Sequence, residues 1–188
     1  MAADDPDGIG DYTEQSDAAA ALLPMPALKI HLEHSTVADA RARLLSALET
    51  GAVVANWFGH SGLDRLAAEG LLTAADVATL TNRDKAPIFS IMGCVAALFE
   101  LPGFDSLGET LVMHDNGGAV AVWAPTQVSY PSSARVLNEF YFHHLFGGDV
   151  VTLGDAVRKA IESYSLTSHP MFMARTYVIL GDPALRTD

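Results

Sequence analysis

The sequence has one cysteine, no cluster of basic residues, no G-x-S-x-G elbow and no long apolar run. Each absence removes a class of protein. A lone cysteine cannot form an internal disulfide, so Cys94 is a free thiol. One cysteine with scattered histidines also lacks the spacing of a zinc site. Eleven Lys and Arg, dispersed among 23 Asp and Glu for a net charge of -12, lack the positive footprint that nucleic acid requires. No apolar stretch nears the roughly 20 residues that span a bilayer, which argues against membrane insertion. The N-terminus MAADDPDGIGDY is acidic where a signal peptide is basic and then apolar. Without the G-x-S-x-G elbow, a serine hydrolase is disfavoured.

What is present suits a single globular domain over residues 1–188: 49% of residues are hydrophobic and 18% charged. Period-two alternation of Leu28, Ile30 and Leu32 with Lys29, His31 and Glu33 predicts a short half-buried edge strand. Thr36 and Asp39 form a capping-box pattern that opens a helix closed by Gly51. The runs AVVANWF (52–58), PIFSIM (87–92) and GAVAVW (118–123) suit strands of a parallel sheet covered on both faces, and TYVIL (176–180) gives a last strand. Helical spacing falls between them, over 66–72, 74–80, 106–114, 132–146 and 152–164. Alternating strands and helices predict an α/β sandwich with a mainly parallel sheet, in which ligands bind beyond the carboxyl ends of the strands.

Two such ends carry chemistry. The strand 52–58 runs out into Gly59-His60-Ser61-Gly62, and the strand 87–92 into Gly93-Cys94. If these strands are parallel neighbours, His60 and Cys94 emerge on one rim. An imidazolium beside a thiol favours thiolate, the nucleophilic form, and flanking glycines admit a substrate backbone. A lone cysteine behind an apolar run is ordinarily an inert core residue, and a lone histidine ordinarily a surface one. The pairing at two strand ends is what favours a catalytic dyad.

NWFGHSG, LTNRDKAPIFSIMGC, SLGETLV, GGAVAVWAPT, TLGDAVRKA and YVILGDPALR, in this order, resemble the gingipain family of cysteine peptidases over most of the chain. The resemblance implies a caspase-like three-layer α/β/α sandwich whose first strand is not accounted for, and so a domain continued by an additional N-terminal segment. It further implies a cysteine endopeptidase acting on polypeptides through a dyad of His60 and Cys94, with no cofactor and no metal. The backbone N–H groups of Ser61 and Cys94 would hold the oxyanion, and Trp123, Thr126 and Tyr130 would line the substrate pocket. Family members are mostly secreted or surface-bound. The chain departs from the family pattern where Ser61 stands in place of a glycine, and where VAALFE follows the cysteine. These departures keep open an alternative, an inactive domain of the same fold acting in binding or secretion.

The acidic N-terminus, with Asp4, Asp5, Asp7 and Asp11 around Gly8, lacks the closing glutamate of a calcium loop and reads as solvated. Within it, Asp5 or Asp7 is the candidate to orient His60.

Overall fold

The computed structural model describes residues 1–148 and 150–187. Its elements are β1 (Ala2–Ala3), α1 (Tyr12–Ala20), β2 (Ile30–His31), α2 (Val37–Thr50), β3 (Val54–Phe58), β4 (Arg65–Leu66), β5 (Leu72–Thr73), α3 (Ala74–Val77), β6 (Ile88–Met92), α4 (Leu107–Met113), β7 (Ala121–Pro125), α5 (Pro131–Phe146), α6 (Leu153–Ser165), α7 (Met171–Thr176) and β8 (Tyr177–Gly181). Six strands form one sheet in the order β2-β1-β3-β6-β7-β8. Neighbours are parallel as far as β7, and β8 closes the sheet antiparallel.

Alternation along the strands sends successive side chains to two separate cores. Ala55, Trp57, Phe89, Ile91, Val122 and Ala124 meet α2, α3 and α4 on one face. Phe58, Ile88, Met92, Ala121 and Trp123 meet α1, α5, α6 and α7 on the other. Burial on both faces is why these strands read as continuous apolar runs. The polar exceptions face each other in register: Ser90 Oγ donates to Asn56 Oδ1 within the sheet.

Helix starts follow side-chain caps. Thr36, Thr73, Ser106 and Thr152 each accept the N–H three residues on, satisfying a donor that the first helical turn leaves open. Each such cap contributes about 1 kcal/mol.

Two expectations are corrected. The stretch from Leu66 to Leu72 is not helical: β4 and β5 pair antiparallel there. Ala67 and Gly70, at φ 57° and 78°, turn the chain left-handed, and a right-handed helix cannot run through them. The following helix stops at Val77, short of Leu80. The acidic, alanine-rich N-terminus is ordered, with α1 capped by Asp11 through the N–H of Glu14. Where the sequence leaves a first strand unaccounted for, Ala2–Ala3 forms a two-residue parallel strand between β2 and β3.

Candidate active site

Strands β3 and β6 are parallel neighbours, and their last residues, Phe58 and Met92, stand in register. The loops that follow bring His60 and Cys94 to one rim, where both line a cavity of ≈ 320 Å³. Its other walls are Ile9, Tyr12, Gly59, Met92, Gly93, Val128, Ser129, Tyr130 and Pro131.

His60 is held at several points. Its backbone N–H donates to Asp4 Oδ2 at 3.0 Å, and its carbonyl accepts from Trp57 Nε1 at 3.1 Å and from the Ala67 N–H at 2.9 Å. The β4–β5 hairpin thereby braces the turn that carries His60. The imidazole Nε2 lies 2.7 Å from Asp7 Oδ2 and 3.4 Å from the Tyr12 hydroxyl. The bond to His60 holds the Asp7 carboxyl below its ordinary range, aided by N–H groups of Ile9 and Gly10. Since a carboxylate only accepts, Nε2 carries the proton and Nδ1 is left to exchange one.

Gly59 makes this turn possible. Its φ is 149°, and a Cβ there would meet Asp4 Cβ at 2.4 Å and Trp57 Cζ2 at 2.7 Å. Asp4 fills that space from below and is 3% exposed. Burial pushes its carboxyl up to about 6, against the opposing hydrogen bond from His60.

Cys94 is half-buried and lines the cavity. Its sulfur accepts the Ser129 N–H at 3.4 Å, and Ser129 is anchored in turn by Tyr177 at 2.9 Å. The next residue, Val95, sits at φ 47°, a conformation strained for a β-branched side chain. No hydrogen bond joins Cys94 to His60 among the described residues. The Cys94 N–H donates to Ser61 Oγ at 2.7 Å, and Ser61 Oγ donates to the Cys94 carbonyl at 2.7 Å.

The proposed pocket residues separate. Tyr130 lines the cavity and stacks edge-on against Phe172 at 5.9 Å. Thr126 is tied to the Thr176 carbonyl through its N–H at 2.8 Å and its hydroxyl at 3.2 Å, away from the cavity lining. Trp123 is 0% exposed, wedged against Tyr141 and Tyr177 in the core, with no surface to offer a ligand. The cause is register: β7 extends to Pro125, so Trp123 lies mid-strand rather than at the strand end.

Asp4, Tyr12 and Val128 join the site without having been anticipated there from the sequence. Of these, Tyr12 had a signal, because Asp11 and Glu14 bracket it as a helix start. Asp5 is exposed, whereas Asp7 meets the His60 imidazole. Asp4, Asp7 and Asp11 are each engaged locally, and no group of three or more His, Cys, Asp or Glu side chains converges as a metal site among the described residues.

A mainly parallel α/β/α sandwich with cysteine and histidine at the ends of adjacent strands is the architecture of caspase-like peptidases. The chain belongs to peptidase family C25, whose sequence model matches residues 1–188; the family is one of cysteine peptidases, which act on polypeptides. No curated protein matches the chain. Among solved structures, the Arg-specific cysteine proteinase gingipain R superposes with a TM-score of 0.82 at 18% identity, over 98% of this chain and 46% of that one. A complex of the Porphyromonas gingivalis RgpB pro- and mature domains gives 0.81 at 19% identity, over 98% and 48%. A third structure, described as a protease, gives 0.75 at 17%, over 94% and 46%. This chain therefore spans about half the length of the solved chains it matches.

Proposed function

We propose that the protein is a cysteine endopeptidase in which Cys94 is the nucleophile and His60 the proton carrier. The observation that carries this reading is that the two side chains, from the ends of adjacent parallel strands, line a single ≈ 320 Å³ cavity. The missing hydrogen bond between them does not oppose this reading, since catalytic hydrogen bonds are often long before substrate binds.

In the first step His60 Nδ1 takes the thiol proton and Sγ attacks the scissile carbonyl. The carbon–sulfur bond forms as the carbonyl π pair moves to oxygen. On collapse the carbon–nitrogen bond breaks, and the imidazolium delivers its proton to the departing amine. Water, deprotonated by the neutral imidazole, then opens the thioester and returns the thiol. Asp7 holds the imidazolium in position throughout.

Among the described residues, the cavity lining contains no carboxylate. Exposed Ile9, Val128 and Tyr130 border it instead. This lining favours an apolar residue before the scissile bond over the arginine named for gingipain R. A location outside the cell follows the same family resemblance. The alternative, an inactive domain of this fold serving in binding or secretion, is favoured by the absent Cys94–His60 hydrogen bond. A fluorogenic peptide library varied at the residue before the scissile bond tests the proposal. Cleavage that is abolished in Cys94→Ala and strongest with apolar residues supports it; no thiol-dependent cleavage of any member contradicts it.

A further inference from the structure

In the proposed reaction a substrate oxygen must accept the Cys94 N–H, yet that N–H is already bonded. Ser61 Oγ accepts it at 2.7 Å and donates its own proton to the Cys94 carbonyl at 2.7 Å. The hydroxyl also lies flat against Gly93, where an added Cβ would come within 2.1 Å of Oγ and 2.8 Å of the Gly59 carbonyl. It thus stands where an oxygen accepting that N–H would stand, and the glycine beside it keeps the space open for it.

We propose that the Ser61 side chain is an internal occupant of the oxyanion site, displaced by the substrate carbonyl in each turnover. This inference rests on the cysteine-peptidase reading and adds to it a residue that sets the rate of carbonyl attack. Entry of substrate exchanges one hydrogen bond to the Cys94 N–H for another, so the donor yields only part of the hundredfold to thousandfold that such a group contributes when free. Removing the hydroxyl restores the difference.

The test separates carbonyl attack from thiol reactivity. A peptide aldehyde ending in phenylalaninal adds reversibly to Cys94: Sγ bonds to the carbonyl carbon, the π pair moves to oxygen, and the thiol proton ends on that oxygen as a hemithioacetal. Iodoacetamide displaces iodide from a saturated carbon and develops no oxyanion. Aldehyde affinity, measured as protection against alkylation and divided by the alkylation rate, isolates the oxyanion site. The ratio rises about tenfold in Ser61→Ala and in Ser61→Gly, and stays near wild type in Ser61→Thr, which keeps a hydroxyl. An unchanged or lower ratio in the Ala and Gly variants overturns the occupant role while leaving the peptidase reading standing. Aldehyde that protects no variant, although Cys94 alkylates in all, overturns the peptidase reading and the inference with it.

Discussion

Replacing Asp4 with asparagine stabilises the protein near neutral pH and not in acid. Asp4 is 3% exposed beneath the His60 turn, and burial raises its carboxyl from 3.8 to about 6. Between those values the folded chain holds a proton that the unfolded chain has released, so stability falls as pH rises through this window. Two pK units correspond to about 3 kcal/mol, fully imposed above pH 6. Asparagine carries no such penalty and keeps an oxygen for the His60 N–H, but its amide cannot accept the Asp5 N–H that Oδ1 accepts at 3.2 Å. That loss costs about 1 kcal/mol. The variant is therefore about 2 kcal/mol more stable than wild type at pH 7.5 and about 1 kcal/mol less stable at pH 4. Urea unfolding followed by tryptophan fluorescence reads the difference, because Trp57 and Trp123 are both fully buried. A stability difference that stays constant from pH 4 to 7.5 refutes the reasoning.

Gly59→Ala forces a Cβ into Asp4 and Trp57 at a φ of 149° and costs roughly 3 kcal/mol or more, visible as a large drop in Tm. Val95→Gly relieves a left-handed valine at φ 47° and raises stability by about 1 kcal/mol in urea unfolding. Asp7→Asn weakens the hold on the imidazolium and lowers kcat on a peptide substrate on the order of tenfold to a hundredfold, with KM little changed. Trp123→Ala empties core volume beside Tyr141 and destabilises by about 3–5 kcal/mol, with no change in cleavage preference where the protein remains folded.

The layered fold was legible because β3, β6 and β7 are buried on both faces and their apolar runs declare it. His60 and Cys94 were legible because each follows a glycine at the end of such a run. The remainder was hidden for physical reasons. In the hairpin at Leu66–Leu72 the three leucines Leu66, Leu71 and Leu72 are fully buried, and that pattern imitates a helix face unless the left-handed turn at Ala67 and Gly70 is foreseen. Trp123 follows from a register shift of a few residues, which moves a side chain from rim to core. Asp4 looked like one of several solvated acids; only the two-residue pairing of Ala2–Ala3 between β2 and β3 carries it under the Gly59 turn. The role of the Ser61 hydroxyl depends on a contact across 33 positions of sequence, and no local pattern encodes it.

In the proposed dyad His60 governs the reactivity of Cys94, and the rate of Cys94 alkylation by iodoacetamide between pH 5.5 and 9, in wild type and in His60→Ala, reads that coupling. The wild-type thiol is expected to react at pH 6.5 well above the rate of a free cysteine, and His60→Ala to fall to or below that rate. Equal rates in the two proteins across the whole range would contradict it.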